Sequence, residues 1–384
     1  MKKTSIDIGR RQATKIIAGV TAGLMLSTSG LVRSAAAAQP SYYPPDYAKV
    51  IEDSKKEGGV LVYSNVGEMN WRPFIEAFNA EYPWIKVQTL DLGTVEVFER
   101  FYAEQASGSN ATDVVVSHSS SAWLDFADKG FVAPFVSAED AHLPDWSKVA
   151  PNVYTISVDP YLIAYNKLLL AQEEWPTSIE DIVNLVKKDP TRFNQKLSSG
   201  IPMSNATAQN IDAVYMEHVG VDKALEQFKV LGPSTAVFRS GGQQTEKITS
   251  GELLVAYLLS GIQVFPLLSD PARASVIGYA FPKDGTVMLM RHIAMAKTVK
   301  NPNSARLFID YVLSKAGEEA LAAGGLMPYR DDVVVPEGPN NFTYKKIADM
   351  LGDAGMVRTS FDPKTMRPPQ DLVDKVTAAF VIPK

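Results

Sequence analysis

The chain has no cysteine and only four histidines in 384 residues. The first absence removes disulfides, thiolate catalysis and cysteine-ligated zinc. The histidines, at 118, 142, 218 and 292, fall at no ligand-like spacing. No metal site or cofactor is therefore expected. Also missing are a Gly-x-Ser-x-Gly elbow, a phosphate loop ending in Gly-Lys-Ser/Thr, a Gly-x-Gly-x-x-Gly after the first strand, and His-Glu-x-x-His. These omissions argue against the common hydrolases, nucleotide-binding enzymes and metalloproteases. Basic charge is scarce too, with 38 Lys and Arg against 43 Asp and Glu. Six of the basic residues lie in the first 38 positions against a single acid, so the remainder carries about −10. Binding to nucleic acid rests on neutralising phosphates with Lys and Arg, and no basic block follows residue 38.

What the chain does have begins with its first 38 residues. Arg10-Arg11 precede the short apolar run Ile16–Leu26, and Ala36-Ala37-Ala38 supplies small residues for cleavage. That order reads as an export signal cut near Ala38, so the protein is expected in the periplasm. The apolar run is too short to span a hydrocarbon core of about 30 Å. The paired arginines leave the general secretory and the twin-arginine routes both open. The residues that remain exceed what one hydrophobic core usually spans, so two lobes are expected.

Strands and helices alternate along the rest. Val60–Tyr63, Ile85–Leu90 and Val114–Val116 read as strands, each followed by a helical pattern. In the first of those helices Pro73 suits the opening turn, and Phe74, Phe78 and Tyr82 share one face. Further on, Ser178 caps a helix running through Lys188 with Asp181 at the capping-box position. Helices over 210–219 and 221–230 are separated by Gly220, Leu162–Tyr165, Ala236–Phe238 and Leu253–Leu258 read as strands, and Asn301-Pro302 opens a late helix. Repeated βα units predict an α/β fold of mostly parallel sheets flanked by helices. The expected division is 40–158 with part of 280–330 as lobe one and 159–279 as lobe two, with crossings at Asp159-Pro160 and 273–279. The C-terminal helices of 331–384 are left unassigned.

Ligands of open α/β sheets bind beyond the carboxyl ends of the strands, near helix N-termini. The loops there are rich in hydroxyls, amides and glycine: Ser64-Asn65, Thr94, Ser117-His118-Ser119, Asn205 to Thr207, and Arg239 before Ser240-Gly241-Gly242. Each Ser, Asn or Thr could equally be a helix cap. As a set, with one guanidinium, they suit a small oxyanion. Arg239 is expected as the main charged contact, with Ser64, Asn65, Thr94, Ser117, His118, Ser119, Asn205 and Thr207 as neutral partners. Tyr257 is a candidate to stack on or hydrogen-bond the ligand's organic part. A nucleophile in the Ser117–Ser121 loop, making the protein a secreted hydrolase, is the alternative of another class. No orienting carboxylate for it is identifiable.

Several segments, in order, carry a resemblance: Gly59–Ser64, Phe78–Pro83, Asp113–Ser119, Asp128–Phe135, Tyr165–Lys167, Gly251–Ala256, Phe281–Thr286, Lys300–Arg306 and Ala322–Arg330. They resemble the periplasmic solute-binding proteins of ABC importers, specifically the two-lobed type II group that includes ferric-ion, sugar-phosphate and phosphonate binders. The resemblance implies a monomer whose lobes close on a ligand, no catalytic turnover, and an inner-membrane ABC permease as partner. Ferric binders of that group place adjacent tyrosines after the Gly-Glu…Val-Ala strand, where this chain has Ala256-Tyr257-Leu258-Leu259. The expected ligand is therefore a small organic anion (sugar phosphate, phosphonate or carboxylate), with ferric ion as the alternative.

Overall fold

In the computed structural model, which describes residues 40–109, 112–338 and 341–380, the apolar runs form β-strands. They are β1 (Val60–Ser64), β2 (Val87–Asp91), β3 (Val114–Ser117), β4 (Lys148–Ala150), β5 (Val153–Asn166), β6 (Leu197–Gly200), β7 (Thr235–Phe238), β8 (Val255–Ser260), β9 (Ile277–Ala280), β10 (Thr286–Met295) and β11 (Met356–Arg358). The export segment lies outside the described residues.

The central strands β1 and β3 are apolar on both faces because each face is covered. Val60 and Val62 of β1 point into one core with Val114, Val116, Trp71, Phe74 and Phe308. Tyr63 and Val115 point the other way, against Phe98, Phe101, Trp123 and Phe126. This alternation has the period of two that a pleated strand imposes, with helices above and below. β2, β1 and β3 are parallel, and β10 closes on β3 antiparallel. A second set repeats the arrangement, with β8, β6 and β7 parallel. Its two faces carry separate cores, one around Ile163, Tyr165, Leu197 and Tyr257, the other around Leu162, Ala164, Ala256 and Leu259.

β5 joins the two sets. Its residues Tyr154–Pro160 pair with β10, and Tyr161–Tyr165 pair with β8. The change of partner falls at Asp159-Pro160, where proline lacks the N–H a continuous ladder would use. Residues 273–279 form no extended link: Pro271–Val276 is a short helix and β9 then pairs with the end of β5. The return connection runs instead through β10, whose Val287 and Leu289 join the second core while Met288, Met290 and Ile293 join the first.

Near its end β8 carries a bulge. Leu162 and Ala164 of β5, two residues apart, face Leu259 and Ala256, three apart, so β8 holds one extra residue. Leu258 absorbs it at φ 47°, a left-handed conformation that costs a leucine about 1–2 kcal/mol. Among the described residues no helix is long and apolar enough to cross a membrane.

Candidate functional site

A cavity of about 920 Å³ opens where β5 changes partner. From the first set of strands it receives Thr94 and His118, from the joining strands Asp159, Tyr161, Leu289 and Arg291, and from the second set the loops at 199–208, 238–244 and 257–263. Two helices present their N-termini to it. Helix Ala206–Val219 begins at Asn205, whose side-chain oxygen accepts from the N–H groups of Thr207 and Ala208. Helix Gly241–Thr249 begins at Ser240, with no side chain capping its first turn. Its free N–H groups and partial positive charge form an anion-seeking surface. Gly241 lets that turn come close: a Cβ there would lie 2.8 Å from Gln263 Cγ and 3.0 Å from Leu259 Cδ1.

Two guanidinium groups flank this surface. Arg239 is exposed on the rim and forms no ion pair or hydrogen bond among the described residues. Arg291 lies in β10 with only 8% of its surface exposed. Its Nη1 donates to Ser157 Oγ at 3.0 Å, while the buried Nε has no partner among the described residues. Burial lowers its pKa, opposed by the charge of Asp159. A buried cation with an unmet donor beside a cavity is costly unless a ligand completes it.

His118 contributes no positive charge. Burial, with the nearby Arg291 and His292, pushes its pKa down to about 3. Asn65 Nδ2 donates to its Nδ1 at 2.7 Å, so the ring proton sits on Nε2, 3.1 Å from Thr94 Oγ1. With its oxygen accepting from His118 and, at 3.4 Å, from Asn65 Nδ2, the Thr94 hydroxyl keeps its own proton for another acceptor. Both imidazole nitrogens are thereby occupied, and His118 is not placed as a base for Ser117 or Ser119. Ser117 Oγ instead donates to the Thr94 carbonyl at 2.7 Å and accepts from the Ser119 N–H at 3.2 Å.

Two carboxylates complete the cavity's charges. Asp159 accepts from Ser260 Oγ and, at 3.3 Å, from the Ile262 N–H. Burial raises its pKa, opposed by the hydrogen bond from Ser260 and the charge of Arg291. Asp212, on helix Ala206–Val219 and 6% exposed, accepts, among the described residues, only from the Met203 N–H at 2.9 Å. Burial pushes its pKa up to about 7 and no neighbouring charge opposes the rise.

Of the ten residues singled out in the sequence, Thr94, His118, Asn205, Thr207, Arg239 and Tyr257 line the cavity. Tyr257 is fully buried and its hydroxyl pairs with Thr235 Oγ1 at 2.9 Å, so it supplies wall rather than a free polar group. Asn65 stands behind His118 as its support. Ser64, Ser117 and Ser119 are wholly buried and do not reach the cavity. Ser64 Oγ accepts from Trp71 Nε1 at 3.0 Å and from the Val66 N–H at 2.9 Å, which locks the turn after β1. Sequence reasoning missed Arg291, Asp212, Asp159 and Tyr161 as lining residues. The available signal for Arg291 was a lone charge inside the apolar run 287–295.

Residues 68–319, more than half of the chain, match the family model described as bacterial extracellular solute-binding protein. No curated protein matches significantly. Among solved structures, a substrate-binding protein of an ABC transporter from Agrobacterium tumefaciens has a TM-score of 0.68 at 18% identity, covering 84% of this chain and 97% of its own. The periplasmic binding protein AfuA of Actinobacillus pleuropneumoniae, with fructose-6-phosphate bound, scores 0.63 at 19% identity over 84% and 97%. Iron-bound HitA of Pseudomonas aeruginosa scores 0.65 at 16% identity over 84% and 99%. At such identities these structures speak to the two-lobed fold alone.

Proposed function

The chain belongs to the bacterial extracellular solute-binding proteins, and from that premise we propose that it captures a small organic anion by lobe closure. It delivers that solute, a sugar phosphate, phosphonate or carboxylate, to an inner-membrane ABC permease. The carrying observation is the pairing of Arg291, buried with an unmet donor, with the uncapped N-terminus of helix Gly241–Thr249 in one cavity. Arg239 at the rim and the Thr94 hydroxyl add donors from opposite sides. The protein works outside the cytoplasm, has no turnover and needs no cofactor.

Ferric ion fits this cavity poorly. Its tyrosines are Tyr161 and Tyr257, whose pKa values burial raises, which disfavours the phenolate form a hard cation needs. The adjacent pair Tyr42-Tyr43 instead donates to Glu139.

The separate cores support a division into lobes. We assign 40–158 with the later part of β10 to lobe one, and 159–279 to lobe two. Tyr344 and Ile347 pack in the first core and Val376 and Phe380 in the second, so the C-terminal helices divide between the lobes.

A thermal-shift screen of sugar phosphates, phosphonates and carboxylates tests the reading, since a ligand of the native state raises the melting temperature by mass action. A stabilising compound from that panel is expected. No shift across the panel together with a shift from ferric citrate reverses the ranking.

A further inference from the structure

The cavity's formal charges cancel. Its ionisable lining residues are Arg239, Arg291, Asp159, Asp212 and His118, and the histidine is neutral. When ionised, the two carboxylates offset the two guanidinium groups, so a purely anionic solute would leave the carboxylate side of the cavity unmatched. The charges are also separated by how they are satisfied. Asp159 is held by Ser260 and Ile262, and Arg291 acts on it electrostatically. Asp212 is different: more than nine-tenths buried, at the cavity wall, it has a single backbone donor and no cation beside it. A carboxylate so placed is costly in the empty protein. A ligand hydroxyl would give it one hydrogen bond but leave its charge uncompensated, whereas an ammonium group supplies both.

We propose that the ligand is a zwitterion, whose acidic group meets Arg291, Arg239 and the helix N-terminus while a protonated amine meets Asp212. The inference rests on the organic-anion reading and narrows it. Tyr161 lines the same cavity, within electrostatic reach of Asp159, Asp212 and Arg291. The cavity volume of about 920 Å³ leaves room for an organic body joining two charged groups.

Matched pairs of compounds differing only in the amine provide the test. Calorimetric titration would compare O-phosphoethanolamine with ethyl phosphate, glucosamine 6-phosphate with glucose 6-phosphate, and β-alanine with propionate. In at least one pair the aminated member should bind about 10- to 150-fold more tightly, the range for a charge-assisted bond in a closed cleft. Asp212→Asn should abolish that ratio, and Asp212→Glu should restore part of it. Equal binding within every pair, or a ratio that survives in Asp212→Asn, overturns the zwitterion while leaving the anion reading in place. No binding by any member overturns both.

Discussion

Arg291 and Arg239 approach the cavity with very different surroundings, and substitution should separate them. Arg291 is buried with Nε unpaired, so a ligand bond to it is poorly screened. Arg291→Gln should weaken binding about 10- to 150-fold, and it should also destabilise the protein, because the buried Asp159 loses its opposing charge. Arg239 is exposed on the rim, so Arg239→Ala should cost only on the order of 10-fold, and less as salt rises. Calorimetry of both variants checks the order, and the reverse ranking would place the acidic group at the rim. Asp212 yields a prediction in pH. Its carboxyl titrates near 3.8 ordinarily and is pushed up to about 7 by burial. Between those values the folded protein holds a proton that the unfolded chain has released. The stability from this group is thus full below about pH 4 and is lost as pH rises through 7. Asp212→Asn cannot lose it, so its melting temperature relative to wild type should climb by a few degrees between pH 5 and 8. Asp310 and Glu318, also raised, to about 6 and about 8, are common to both proteins and cancel in the difference. A flat difference across that range would show Asp212 to be ionised throughout.

Among the elements, helix Ala206–Val219 is where capping and ligand contact compete for the same side chain. Asn205 spends its oxygen on the N–H groups of Thr207 and Ala208. Asn205→Ala should therefore cost about 1 kcal/mol in denaturant unfolding. Asn205→Asp should keep the cap and the stability but weaken an acidic ligand, because it adds negative charge at the mouth. Unchanged affinity in Asn205→Asp would move the acidic group away from this helix. Elements with strong local punctuation were legible in the sequence. Ser178 and Asp181 cap Ile179–Lys188 as read, with Ser178 Oγ accepting from the Asp181 N–H and Asp181 accepting from Thr177. Gly220, at φ 92°, divides its two helices. Where local signals misled, tertiary packing decided. Pro73 suits the opening turn of a helix, yet the helix starts at Glu68, and Trp71 is fully buried in the earlier turn. The bulge at Leu258 could not be read, since a leucine gives no sign of a left-handed backbone. Of the cavity lining, Arg239 and Gly241 were legible in the sequence. The site was illegible at Arg291 and Asp212, whose importance lies in what burial leaves unpaired.

At the scale of the molecule, β5 and β10 together connect two sets of strands, and the cavity opens at the change of partner. That placement is consistent with the proposal that bending at Asp159-Pro160 and in β10 closes one lobe on the other. Closure would bring Thr94 and His118 toward Arg239 and the helix N-terminus at Gly241, excluding water from the charges that recognise the solute. Small-angle X-ray scattering, with and without a saturating amount of the compound giving the largest thermal shift, measures this most directly. A smaller radius of gyration is expected in the bound protein. A bound protein, confirmed by its thermal shift, whose radius of gyration is unchanged would contradict capture by lobe closure.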